Sequence, residues 1–370
     1  MLLKTTFTFL LAALGELSLA HPGEKLDKRV AVREANMRHS FADVNFQTLS
    51  KCDNGPDIMA RKERAMKRRL ETFQKLRAER GISDENPYLH RRNAGQFAKW
   101  AGTSHDRTGA LDFTTDTPHS EIFGANTTCI LTPDNIIGPY YVQGEQIRSN
   151  IVENLPGVPL HLEIQFVDVQ TCQPAPSALF IDIWQCNAAG IYSGVSAAGQ
   201  GGLKTTFLRG VQATDGDGVV AFDTLFPGHY QGRATHQHIT VHVGAEALPN
   251  NTYRGGTVAH ISQLFFDQAL IDAVEALAPY NANRVARTSN AADGFTGYAA
   301  TAAYDPFPEY VLLDAADLSK GVFMWLEVAF NPSVNYDQYK TVAAVVGPDG
   351  GVDNPGFNII KGITPPPTHG

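Results

Sequence analysis

The stretch Leu160-His-Leu-Glu-Ile-Gln-Phe-Val167, followed after Thr171-Cys-Gln-Pro-Ala-Pro176 by Ala178-Leu-Phe-Ile-Asp-Ile-Trp184, decides the fold. Apolar residues fall on every second position, the period of a strand with one face in a core. The proline-bearing run between them reads as a turn, so the two segments are expected to be the arms of one hairpin. A strand of about eight residues spans about 26 Å. Cys172, in the turn, would then lie far from Cys186, beyond the second arm, which argues against their pairing. Working outward, further strands are expected at 218–222, 236–243 and 322–329, with Asp215-Gly-Asp-Gly218 as a tight hairpin turn. The 33 Gly and 21 Pro supply turn signals between many short strands, and 43% hydrophobic content supports a real core. The expected fold class is an all-β sandwich core.

The rest of the chain is organised around that core. Lys4 followed by the apolar run 6–14 and by Ser18-Leu-Ala20 before His21 has the pattern of a signal peptide over 1–20, so the mature protein is expected to be secreted. No later run reaches the roughly 18 apolar residues of a membrane span. Residues 21–107 carry 19 Lys+Arg against 12 Asp+Glu, net +7, whereas 108–370 are net −15, within an overall charge of −8. A basic, largely helical N-terminal arm is expected over 21–101, a polar linker over 102–128, the sandwich over 129–340 and a C-terminal tail over 341–370. The acidic body offers no groove for nucleic acid. Within the arm, a helix should start at Asn54-Gly-Pro56 and stop at Gly81. Met59, Met66, Leu70, Phe73 and Leu76 would share one face, with Arg61, Lys62, Arg64, Lys67, Arg68 and Arg69 opposite. That helix would dock on its own acidic domain. The dibasic Lys28-Arg29 marks a processing site if 21–29 is a pro-segment. Secretion places Cys52, Cys129, Cys172 and Cys186 in an oxidising compartment, where three pairings are open. Asn126-Thr-Thr128 and Asn250-Asn-Thr252 are glycosylation sequons.

Reactive side chains are densest over Phe226-Pro-Gly-His-Tyr230-Gln-Gly-Arg233-Ala-Thr-His236-Gln-His238-Ile-Thr-Val-His242. On a strand, His236, His238, Thr240 and His242 share a face, and two imidazoles at i and i+2 can share one metal ion. Imidazole alone does not choose among iron, copper, zinc and nickel. Tyr230 precedes the pair on a Pro-Gly turn, and Tyr192 lies on a second turn after the strand ending at Trp184. A phenol has a pKa near 10 and binds as phenolate only when a strong Lewis acid displaces its proton, which points to Fe(III).

These residues resemble the intradiol ring-cleavage dioxygenases, particularly their secreted fungal-type branch. The resemblance runs from Cys129 to about Asp267. Its pieces are Leu131-Thr-Pro-Asp-Asn-Ile-Ile-Gly-Pro-Tyr-Tyr141, Gly157-Val-Pro-Leu160, Asp182-Ile-Trp184 through Tyr192-Ser-Gly194, Asp215–Gly218, Phe222–Gly228, Tyr230–Arg233, His236-Gln-His238 and Gln263-Leu-Phe-Phe266. It implies a sandwich around non-haem Fe(III), with Tyr192, Tyr230, His236 and His238 as ligands. It also implies Arg233 and Gln263 as active-site residues and Tyr230 as the ligand released when substrate binds. The substrates it implies are a small aromatic diol and O₂, and no organic cofactor is needed. One departure is Gln185, where the family usually carries a histidine after the tryptophan; that histidine is not a ligand. The nearest rival for H-x-H in an all-β protein is a cupin, which wants a glutamate shortly after the pair and a later histidine. Glu246 is too distant and His260 lacks suitable surroundings. A non-catalytic protein on a degenerate scaffold of the same family is the other alternative, against which the intact metal, arginine and glutamine positions count.

Overall fold

The computed structural model describes residues 55–82, 105–106, 137–175, 178–293, 295–296, 306–347 and 350–357. The leader 1–20, the dibasic site and Cys52 and Cys129 lie outside the described residues, as does most of the 102–128 linker.

Two four-stranded sheets make the sandwich. One has the order β5-β2-β9-β8, from β2 (Pro159–Asp168), β5 (Val219–Leu225), β8 (Glu309–Leu312) and β9 (Val322–Phe330); the other has the order β4-β3-β6-β7, from β3 (Leu179–Trp184), β4 (Arg209–Ala213), β6 (His236–Ala247) and β7 (Tyr253–Phe265). Alternate residues of β2, β3, β5, β6 and β9, among them Leu162, Ile164, Ile181, Ile183, Phe222, Ile239 and Met324, interdigitate between the sheets as one apolar core. Within these two sheets all pairings are antiparallel except β2 with β9.

The strand positions agree with the sequence pattern, but the expected hairpins do not form. β2 and β3 belong to opposite sheets, so the turn at 171–175 crosses the sandwich. The tight turn at Asp215–Gly218 forms, with the Gly218 N–H on the Asp215 carbonyl at 3.0 Å, yet its flanking strands β4 and β5 also diverge to opposite sheets. Period-two alternation says which side chains share a face and nothing about which neighbour the backbone pairs with. Cys186 is a buried free thiol, so the disfavoured Cys172–Cys186 pair is not made.

Both outer faces of the sandwich are covered, which is why the polar alternates of β2 and β3 are buried as well. Helix α1 (Pro56–Glu79) lies over the β5-β2-β9-β8 sheet, with Phe73 and Leu76 on Val311, Leu313, Phe323 and Trp325. Its buried face differs from the expected one. Ile58, Arg61, Ala65, Arg69, Phe73 and Leu76 point inward, whereas Met59 is more than half exposed. Arg61 pairs with Glu327, and Arg68 and Arg69 both reach Glu163, at 3.0 and 2.7 Å. Two arginines therefore belong to the packed face, because the sheet beneath carries two buried carboxylates that need partners.

The other outer face is roofed by the loops at 137–151 and 190–208 and by a small sheet of β1 (Val142–Gln143), β10 (Ala344–Gly347) and β11 (Gly350–Asp353). Residues 344–353, expected within a tail, thus belong to that roof. His105 and Asp106, expected within the linker, are pinned to Asp267 and Tyr310. A short helix α2 (Gln268–Glu275) follows β7. Among the described residues no helix is long and apolar enough to cross a membrane.

Candidate functional site

β6 turns His236, His238, Thr240 and His242 onto the roofed face, and all four are buried. The Nδ1 of His236 lies 2.7 Å from the Ala234 carbonyl, so its N–H donates there and Nε2 is left as a lone pair. The His238 ring lies flat on Trp184 at 4.8 Å, with 6° between planes. That stack, across the β3–β6 register Trp184↔His238, fixes the imidazole orientation.

The two tyrosine-bearing turns converge on this pair. Arg209 donates from Nε and Nη2 to the Ser193 carbonyl at 3.0 and 2.7 Å, anchoring the turn that carries Tyr192. His229, between Glu275 Oε1 at 2.7 Å and the Val285 carbonyl at 2.9 Å, anchors the turn that carries Tyr230. The two turns touch where only glycine fits. Gly190, at φ +79°, would drive a Cβ into the His229 carbonyl oxygen.

The result is a closed ring of four donor atoms. Tyr192 Oη is 3.5 Å from Tyr230 Oη, Tyr230 Oη 3.0 Å from His236 Nε2, His236 Nε2 3.2 Å from His238 Nε2, and His238 Nε2 3.4 Å from Tyr192 Oη. Two ring nitrogens facing each other require a proton or a cation between them. Edges near 3 Å are the spacing donors take around one ion at bonds of about 2 Å. Burial pushes both phenols well above their usual pKa, so only a strong Lewis acid would ionise them here. The donor set fits a hard, highly charged metal ion. Among the described residues no group of three or more His, Cys, Asp or Glu stands together, so a cupin-type set is not available. Glu246 is exposed and paired with Arg254, and His260 packs near Phe330. His242 shares the strand face but sits apart, among Thr240, Tyr141 and Tyr253; burial lowers its pKa to about 3 and keeps it neutral.

Arg233 and Gln263 border the ring. Gln263 is the cross-strand partner of His238, and its Oε1 accepts from Arg233 Nη2. Burial works against the Arg233 charge, but Asp293 outweighs it and holds the guanidinium pKa up. Asp293, Arg209, Trp184 and His229 are site residues that the sequence reading did not single out. Gln185 sits on the core side, where it accepts from Gln237 and donates to the Leu225 carbonyl, each at 2.6 Å. The departure from the family pattern is therefore absorbed as a buried tie among β3, β5 and β6.

A family model described as "Dioxygenase" (Dioxygenase_C) matches residues 136–264. A structure titled intradiol ring-cleavage dioxygenase from Tetranychus urticae is 34% identical, with 56% of this chain and 97% of that chain covered and a TM-score of 0.46. Catechol 1,2-dioxygenase from Pseudomonas arvilla C-1 is 20% identical over 56% of this chain and 64% of that one, at a TM-score of 0.35. Hydroxyquinol 1,2-dioxygenase from Pseudomonas putida DLL-E4 is 19% identical over 57% and 69%, also at 0.35. No curated protein matches. On the family-model match and the 34% identity across nearly the whole Tetranychus urticae enzyme, the chain belongs to the intradiol ring-cleavage dioxygenases.

Proposed function

We propose that this protein is a secreted enzyme that uses Fe(III) to cleave a catechol-type ring between its two hydroxylated carbons. The single observation that carries the metal assignment is the closed four-donor ring of Tyr192, Tyr230, His236 and His238. Ferric iron, when bound, supplies the Lewis acidity that ionises the phenols and the diol and the electronic coupling that lets an electron-rich diolate react with O₂. Both oxygen atoms enter the product, one ring C–C bond breaks, and a muconate-type diacid forms. The substrate supplies the electrons, so no organic cofactor is required.

The chain's own residues then have definable tasks. Tyr230 would be one of the four residues that hold the metal, and its phenolate oxygen is the group within the ring that would take a proton from the incoming diol. Arg233 is a fixed buried cation and stabilises negative charge that builds on the ring. Gln263 orients substrate by its amide. The roof residues Ile137, Tyr140, Val142 and Tyr336 are buried around Tyr192 and Tyr230 and exclude bulk water. Secretion is supported by the leader-like 1–20, by the disulfide that Cys172 carries and by the exposed sequon at Asn250. The test is the purified secreted protein with a panel of catechols under labelled O₂. Expected are one iron per chain, visible tyrosinate-to-metal absorption, and a diacid carrying both label atoms. A ring-opened aldehyde with a hydroxymuconic skeleton would overturn the reaction assignment.

A further inference from the structure

Arg233 is held in place by a residue 60 positions along the chain, beyond the 136–264 stretch that the family model matches. We propose that Asp293, with Phe295, is a positioning residue for the ring-cleavage reaction: it locks the Arg233 guanidinium so that Nη1 alone is presented to substrate. The inference rests on the reading of Arg233 as the cation that faces the reacting ring.

The Asp293 carboxylate accepts from three donors. Oδ2 takes Arg233 Nε at 3.0 Å and the Ala234 N–H at 2.6 Å, and Oδ1 takes the Phe295 N–H at 2.7 Å. One group therefore sets both the guanidinium and the backbone two residues before His236. The Phe295 ring lies under Arg233 Cζ at 4.3 Å and covers one face of the guanidinium. Gln263 takes Nη2. A planar guanidinium held at Nε, at Nη2 and on a face has no rotation left. Nη1 is buried and has no hydrogen-bond partner among the described residues. A buried cationic N–H without an acceptor is costly, and its natural acceptor is an oxygen of a bound anionic ligand. The segment that presents Asp293 is itself tied down: Asn290 Nδ2 donates to the Phe266 carbonyl at 2.7 Å and the Asn290 N–H to Gln268 Oε1 at 2.9 Å. Arg233 and Asp293 side chains are each 1% exposed, so the pair acts in a low-dielectric setting where losing one charge matters.

The test is Asp293→Asn, which keeps the shape and removes the charge. Iron content and the visible tyrosinate band should match wild type, kcat should fall about 10- to 100-fold, and KM should move much less. In an Arg233→Ala background the same change should cost no further activity, which a merely structural role would not produce. Should Asp293→Asn fail to fold, Phe295→Leu leaves the carboxylate in place. It should lower kcat about threefold or more with the band retained, and again have no effect in the Arg233→Ala background. Wild-type kcat in the foldable variant, or an equal loss with Arg233 absent, would overturn the positioning role while leaving the dioxygenase reading intact. A wild-type protein with iron but no ring cleavage would sink both.

Discussion

His236 and His238 meet because a strand returns every second side chain to one face, and a tryptophan across the ladder keeps one imidazole flat. On the proposed Fe(III) assignment, removing one of the four donors from a ring this closely spaced should cost most of the metal. His236→Ala is expected to lower iron occupancy at least about tenfold while the sandwich stays folded, read by metal analysis and circular dichroism. Arg233→Ala touches none of the four donors and should instead keep iron and colour and lower kcat by about 10²-fold or more. Full occupancy in the first variant, or full turnover in the second, would refute the assignment. Gly190 makes a third case. Alanine there needs a strained positive φ and collides with the His229 carbonyl, so the two tyrosine turns must separate, at about 1–3 kcal/mol and with loss of the visible band. The four convergent donors and Arg233 were legible as letters because they crowd into one short strand and two turns. Asp293, Arg209 and His229 were not, because each acts through tertiary contact with a partner 16 to 60 residues away. A lone aspartate in a loop carries no periodic signal.

At the scale of elements, the positions of β2, β3, β5, β6 and β9 were readable and strand partners were not. The alternation of 160–167 and 178–184 marks inward faces, but whether a turn closes a hairpin or crosses between sheets depends on the whole ladder. β7 hid for a different reason: its glycines at 255 and 256 and its register shift opposite Val241/His242 break the pattern. Helix α1 was legible in extent, while its orientation was decided by the sheet below. Glu163 and Glu327 point outward from β2 and β9, and a helix that buried only apolar residues would leave them uncompensated. Burial works to raise the Glu163 carboxyl, but Arg69 and Arg68 outweigh it and hold its pKa below the usual carboxylate range. A depressed native pKa gives stability that is complete above the ordinary glutamate value of about 4.3 and is lost as pH falls through the native one. Helix docking should therefore be constant from neutral pH down to about 5 and weaken only in acid. Arg69→Ala should destabilise the protein by about 3–5 kcal/mol at pH 7, by leaving a buried carboxylate short of a partner, with a smaller penalty at about pH 3. A pH-independent penalty in thermal melts would contradict this account.

For the whole molecule, the opposition of a +7 arm and a −15 body suggests docking by long-range attraction, which salt would weaken. The observed packing is of another kind. Arg64–Asp217 is exposed and screened, but Arg61–Glu327 and Arg69–Glu163 are buried and sit beside Phe73 and Leu76 on Phe323 and Trp325. Charges removed from water in this way respond little to ionic strength. The consequence bears on processing. Removal of the chain through Ile82 would uncover Val311, Leu313, Phe323 and Trp325 together with two buried carboxylates. Exposing a large apolar side chain to water costs about 1.5–3 kcal/mol, and several together approach the stability of a whole domain. The mature N-terminus of secreted protein, read by mass spectrometry, should fall at His21 or Val30 and in no case beyond Gly55. A chain engineered to begin at residue 83 should melt well below the chain beginning at residue 30, or fail to accumulate. Equal melting of the two, or a native terminus past Ile82, would show that α1 is a dispensable strap and not the outer layer of the fold.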